Sequence, residues 1–169
     1  MDFFETITAR YSVRGYKPDP VPEELLDKVL EAARRAPTAA NRQPFRFVVV
    51  TTKGREEELA RIYGRRWFTQ APYVIVVVAV PGEAWRRMDD KPYDEVDATI
   101  AMDHLILAAT ALGLGTCWIA AFDPAATRDV LGLPDDVEPI AITPLGWPDK
   151  ASADTDRRPL AELVKHERW

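Results

Sequence analysis

Two periods of apolar residues alternate along this chain of 169 residues. The segments 45–52 (FRFVVVTT) and 73–80 (YVIVVVAV) are short, β-branched and apolar, which predicts strands. The second is apolar almost throughout and should be a central strand covered on both faces. Leu25, Leu26, Val29, Leu30, Ala32 and Ala33 instead recur at helical spacing. Pro22 suits the first position of that helix, and Pro37 stops it beyond about Arg35. Phe3, Phe4 and Ile7 share one face of a short helix over 2–9. Residues 96–112 lack Pro and Gly and carry more apolar side chains than one face can hold, which predicts a helix buried on most sides. Gly113 suits the left-handed position that ends it, and the TCWIAAF that follows Gly115 reads as a short buried strand or an extended loop.

Polar and Pro-rich segments set the remaining boundaries. Residues 55–66 read as a charged surface helix, and 81–93 as a polar excursion with Trp85 and Met88 embedded. Asp123 and Pro124 cap and begin a helix to Leu131. The strand over 137–145 holds Pro139 and Pro144, which either place it near a sheet edge or limit its pairing. A loop over 146–156 leads to a short helix over 160–165 and a terminal Trp169 that should dock on something. Trp67, Phe68 and Tyr73 form an aromatic patch that is either core or a lid over a flat ligand. No repeat, low-complexity tract or Gly/Ser linker interrupts 1–169, so one domain is expected.

A net charge of −5, from 27 acidic and 22 basic residues, argues against a general nucleic-acid or anionic-membrane surface. The central helix is too short and too interrupted by Asp97, Asp103 and His104 to span a bilayer. The single cysteine, Cys117, allows no internal disulfide, and the start of the chain lacks the basic and apolar regions of a signal peptide; both fit a cytoplasmic location.

The chemistry-bearing residues are few. Arg10, Ser12 and Arg14 follow the first helix; the guanidinium forks and hydroxyl suit an oxyanion, although arginines at a helix end also complement its dipole in solvent. Thr38, Asn41 and Gln43 alternate with small residues in a Pro-framed loop that is either a ligand-presenting loop or ordinary turn chemistry. Arg157 and Arg158 form a second basic pair. His104 and His166 lie in no metal-ligand spacing, so no metal is expected. Cys117 has no activating base nearby in sequence, and GxSxG, P-loop and complete GxGxxG motifs are absent. With no nucleophile, metal or acid–base pair in evidence, an enzyme of this sequence would rely on a bound cofactor.

Four segments together resemble the nitroreductase family of FMN-dependent oxidoreductases in its short form: Arg10 to Arg14 (RYSVR), 36–44 (APTAANRQP), 113–123 (GLGTCWIAAFD), and Arg157-Arg158-Pro159-Leu160 with the terminal Glu167-Arg168-Trp169. Each is moderately specific; the four in this order and spacing are highly specific. The resemblance implies an α+β fold, an α/β/α sandwich with a mainly antiparallel central sheet, working as an intertwined homodimer with the central helix in the interface and the C-terminal tail crossing to the partner. It implies FMN sites shared between the chains. Arg10, Ser12, Arg14 and Arg157, with Tyr11 and Arg158 beside them, would hold the phosphate and nearby polar groups. Pro37, Thr38, Asn41 and Gln43 of the other chain would line the ring. Trp118, Ile119, Ala120 and Ala121 would run along it, a backbone N–H near Ala120 or Ala121 reaching flavin N5. No side chain is implied as catalytic. The implied reaction passes a hydride from NADH or NADPH through the flavin to a small, flat, electron-poor acceptor such as a quinone or nitroaromatic, with ping-pong kinetics. Specialised relatives use the flavin for dehalogenation or heterocycle dehydrogenation, and a non-catalytic flavin-binding module is a further alternative. Many relatives carry Gly at the position of Ala120 or Ala121 and Lys at that of Thr155.

Overall fold

The computed structural model describes residues 1–151 and 155–169. Strand β1 (Phe45–Thr51) and strand β2 (Tyr73–Ala79) pair antiparallel with Phe45 opposite Ala79 and Thr51 opposite Tyr73. Strand β3 (Gly115–Thr116) and strand β4 (Glu138–Gly146) complete a four-stranded sheet in the order β1-β2-β4-β3, antiparallel at each pairing. Alternation along β2 decides the layering. Ile75, Val77 and Ala79 face one core with Val29, Ala33, Met102 and Leu105, whereas Val74, Val76 and Val78 face another with Leu59, Ile62 and Phe68. The strand is buried on both faces, as its unbroken apolar run requires.

Helix α1 (Phe3–Ala9) opens with a capping box: the Glu5 N–H donates to Asp2 at 2.9 Å and the Asp2 N–H to Glu5 at 2.8 Å. Helix α2 (Glu23–Arg34) takes Pro22 as its N-cap, one residue outside the position expected for it, and buries Leu26, Val29 and Ala33. Helix α3 (Glu56–Ile62) is shorter than the charged run 55–66. The Asp123 N–H takes the Ile62 carbonyl at 2.9 Å, and Tyr63 turns extended before Gly64. Helix α4 (Asp94–Ala111) starts two residues early and ends at Gly113, whose φ is +79°. Met102 and Leu105 on α4 are fully buried, each worth about 1.5–3 kcal/mol. Helix α5 (Pro124–Leu131) is capped by Asp123, which accepts the Ala126 N–H at 2.9 Å. Helices α1, α2 and α4 thus lie on one side of the sheet and α3 and α5 on the other, an α/β/α sandwich.

Two expectations change. First, of the two readings of β4 the edge one fails, because the strand lies between β2 and β3. Pro139 lies opposite Val78, at the register shift between Val77 and Val78, where the ladder is already interrupted. Thr116 opposite Leu145 and Ile119 opposite Ile142 put Cys117 opposite Pro144, which has no N–H to give. The Thr143 hydroxyl bridges the two residues by their other groups, accepting the Cys117 N–H at 3.0 Å and donating to the Pro144 carbonyl at 2.9 Å. Second, α4 is covered on one side only in a single chain. Ile100, Leu107 and Ala108 are half-buried and Val96 is exposed. Apolar side chains also stand exposed in the single chain: Phe3 (63%) and Phe4 (73%) on α1, Leu160 and Leu163 on helix α6 (Leu160–Leu163), and Trp169. The aromatic patch is divided: Phe68 is fully buried core, meeting Tyr63 edge-on at 5.5 Å, whereas Trp67 and Tyr73 are half-buried, Tyr73 against the other core.

Candidate active site

Arg10 ends α1, donating its N–H to Thr6 at 3.0 Å, and the chain then runs extended beside β3. The Val13 N–H meets the Thr116 carbonyl at 2.9 Å, and Ser12 bridges Thr116. The two-residue period of extended chain puts Arg10, Ser12 and Arg14 on one side and buries Val13 on the other. Gly115 makes this approach feasible, because a Cβ there would lie 2.7 Å from a Val13 methyl. Among the described residues, neither Arg10 nor Arg14 reaches a carboxylate, although arginines 34, 35, 46, 55, 61, 86 and 87 all do. The nearby Asp149 carboxylate instead packs against Gly15. Tyr11 donates its hydroxyl to the Lys150 carbonyl; burial and then Asp149 push its ionisation upward.

The segment after β3 follows from this anchor. Cys117 and Ile119 point inward, while Trp118, Ala120 and Ala121 are exposed. Of the short buried strand or extended loop expected over TCWIAAF, only Thr116 is in strand; the rest is extended chain of alternating burial, with Ile119 tied in both directions to Ile142 at 2.9 and 3.0 Å. Burial raises the Cys117 thiol above its usual range, against the influence of Arg14, Ser12 and Arg10. A thiol held protonated and buried is a structural one. Exposed small side chains at 120 and 121 let a flat group lie close to backbone.

The loop over 37–44 follows α2. Ala40, Asn41 and Gln43 hold φ of 50°, 53° and 53°, a region costly for residues with a Cβ. The Gln43 N–H donates to the Thr38 hydroxyl at 3.2 Å, and the Gln43 amide to the Asn41 carbonyl and side chain at 3.2 Å each. Arg46 bonds the Gln43 carbonyl at 3.2 Å and Glu83 at 2.9 Å, joining this loop to the 81–93 excursion. Pro37, Asn41 and Gln43 are exposed and Thr38 is half-buried.

One chain does not bring these groups together. The Arg10–Arg14 run and β3 lie where β4 ends, beside Leu145 and Gly146, whereas 37–44 lies where β1 begins, its Pro44 carbonyl accepting the Val80 N–H at 2.8 Å. Phe45 and Thr51 bound β1 at the two ends, six residue steps or roughly 20 Å apart. Arg157 and Arg158 are exposed in the tail, and among the described residues Arg157 bonds only the carbonyls of Thr155 and Asp156. Sequence reasoning missed three supporting groups: Asp97, which holds Ala39; Arg46; and Thr143. The available signal for Asp97 was its spacing, four residues before Ala101 and eight before Leu105 on the buried face of α4.

Among the described residues no cluster of three His, Cys, Asp or Glu side chains could hold a metal, and no helix is long and apolar enough to cross a membrane. The family model for the nitroreductase family matches residues 7–65 and 63–147. The chain is 32% identical over 186 residues to an NADH dehydrogenase of Thermus thermophilus, covering 92% of this chain and 91% of that one. It is 30% identical over 183 residues to an FMN reductase [NAD(P)H] of Bacillus subtilis, covering 98% of this chain and 73% of that one. The crystal structure of a nitroreductase family protein from Clostridium difficile superposes with a TM-score of 0.91 at 36% identity, covering all of both chains.

Proposed function

This chain belongs to the nitroreductase family, and on that footing we propose that it is an FMN-dependent oxidoreductase of the cytoplasm, using NADH or NADPH. The observation that carries the reading is a set of arginines with no acid partner among the described residues, in a chain of net negative charge, beside a strand with an exposed, small-residue edge. Arg10, Ser12 and Arg14 suit a phosphate ester, each guanidinium able to bind two of its oxygens. Trp118, Ala120 and Ala121 suit a flat ring. These residues fit FMN.

When bound, FMN supplies the hydride chemistry that links the nicotinamide to a small, flat, electron-poor acceptor. The protein's own residues bind and orient: Arg10 and Arg14 hold the anion, Ile119 fixes the strand edge, and the Thr38–Gln43 bond fixes the loop. No side chain is assigned a proton transfer. One open face serving donor and acceptor in turn gives ping-pong kinetics.

The working unit in this reading is a homodimer. The half-covered flank of α4 and the exposed Phe3, Phe4, Leu160, Leu163 and Trp169 are surfaces for a second copy. The 37–44 loop of one copy then completes the site begun by Arg10, Ser12 and Arg14 of the other, with Arg157 and Arg158 joining from the tail.

The test is the absorbance spectrum of the purified protein, recorded anaerobically before and after NADH or NADPH. Flavin bands that bleach within seconds are the expected result. Bands that persist would leave a flavin-binding module or a specialised relative; a protein that takes up no FMN overturns the proposal.

A further inference from the structure

The left-handed run at Ala40, Asn41 and Gln43 persists only if its surroundings over-determine it. Two of its restraints are local, from Thr38 and Arg46. The third reaches across the fold: the Ala39 N–H donates to Asp97 Oδ1 at 3.0 Å. Asp97 lies on α4 and is 2% exposed. Its other oxygen, Oδ2, is buried and has no hydrogen-bond partner among the described residues. Burial raises its ionisation above the usual carboxylate range; the Ala39 N–H opposes this and the neighbouring Asp94, 3% exposed, adds to it. A buried carboxyl with half of its bonding capacity unmet weakens a fold relative to a small apolar side chain. Its return lies in what it holds.

We propose that Asp97 is a positioning residue, fastening the 37–44 loop to α4 in the strained form that meets the FMN ring. The proposal rests on the assignment of that loop to an FMN site. It separates two properties that a merely structural residue would move together: loss of the carboxylate loosens the loop and weakens flavin binding, while the flavin-free fold keeps or gains stability.

The experiment uses the full chain as wild type, Asp97→Ala, Asp97→Asn and, as a core control that makes no hydrogen bond to the loop, Val29→Ala. FMN affinity is read from flavin fluorescence, stability from the thermal midpoint of the flavin-free protein, and loop order from hydrogen exchange at 39–43. Asp97→Ala is expected to bind FMN about tenfold more weakly, the effect of losing a charge-assisted bond. It should exchange faster at 39–43 and melt no lower than wild type. Asp97→Asn keeps an acceptor for the Ala39 N–H and should stay within about threefold of wild-type affinity. Val29→Ala should melt lower with little change in affinity. Unchanged affinity in Asp97→Ala, or affinity and midpoint falling together, overturns the proposal. Wild type that takes up no FMN overturns the loop assignment and the proposal with it, whereas wild type that binds beside an unaffected Asp97→Ala overturns the proposal alone. If Asp97→Ala fails to fold, Ala39→Pro removes the donor instead. The preceding Thr38 is already extended (φ −134°, ψ 154°), which proline accepts. The same loss of affinity is expected, and wild-type affinity overturns the proposal.

Discussion

Thr143→Val removes one oxygen from the interior and keeps the side chain's shape. Thr143 is fully buried on β4, where its hydroxyl bridges the Cys117 N–H and the Pro144 carbonyl across the β3–β4 side of the sheet. Valine would leave the Cys117 N–H and the Pro144 carbonyl both buried without partners. Each orphaned group costs about 1–3 kcal/mol, so the pair should cost about 2–6 kcal/mol. That is a large part of the roughly 5–15 kcal/mol that holds a typical domain together. At roughly 2–4 °C per kcal/mol for a chain of this size, the midpoint should fall by about 4–24 °C. Thr143→Ser retains the hydroxyl and should lose only about 1 kcal/mol for the missing methyl. Equilibrium urea unfolding with a common slope separates the two variants. A loss below about 0.5 kcal/mol for valine, or serine as damaging as valine, would refute the relay.

Arg10→Ala should weaken FMN binding by about 1.5–3 kcal/mol, roughly ten- to a hundredfold, and an unchanged dissociation constant removes Arg10 from the site. Gly115→Ala puts a Cβ 2.7 Å from Val13 Cγ2 and 3.1 Å from Val13 Cβ, against a β-branched side chain with little rotamer freedom. It should destabilise by about 1–3 kcal/mol, most of it recovered with Val13→Ala; chemical denaturation of the single and double variants decides. Asp97 has its carboxyl raised by burial in the folded chain, so folding favours its protonated form. Its contribution to stability is therefore greatest below the unfolded value of about 4 and declines as pH rises through the folded one. Asp97→Asn should thus gain on wild type as pH rises from about 4 toward neutrality, and a pH-independent difference in unfolding free energy would contradict the shift.

The layers were legible because burial on two faces leaves a plain mark: β2 is apolar throughout, and α2 repeats at helical spacing with Pro22 and Pro37 at its borders. The helix after Asp123 was legible for a local reason, since cap, first-turn proline and Gly132 all sit within the segment they govern. The place of β4 was not. Proline's lost donor normally marks an edge, and only the register reveals a bulge beside one proline and a pairing with β3 beside the other. The strain at Ala40, Asn41 and Gln43 was poorly legible as well, because Asn tolerates a positive φ but nothing marks Ala or Gln for one. Arg10, Ser12 and Arg14 were recognisable as a cluster because extended chain places alternate residues together. Their separation from 37–44 depends on the sheet, which brings one to the beginning of β1 and the other to the end of β4.

That separation yields a test of shared sites that needs no structure of the assembled protein. In that reading Arg10 and Arg14 hold the phosphate and the 37–44 loop lines the ring, and within one chain the two half-sites lie roughly 20 Å apart along the strands. In a two-fold dimer the same interface occurs twice, so each site would take Arg10 from one copy and the 37–44 loop from the other. A chain carrying Arg10→Ala and a chain carrying Asn41→Ala with Gln43→Ala should each give dimers in which both sites are damaged. When the two are unfolded together and refolded at equal concentration, random pairing makes about half of the dimers mixed. Every mixed dimer has one site with both lesions and one with neither, so about a quarter of wild-type FMN sites should return. Flavin titration of the refolded mixture counts them, with each variant refolded alone as the baseline. If each site belonged to a single chain, mixing would restore nothing, and FMN uptake would equal the average of the two variants.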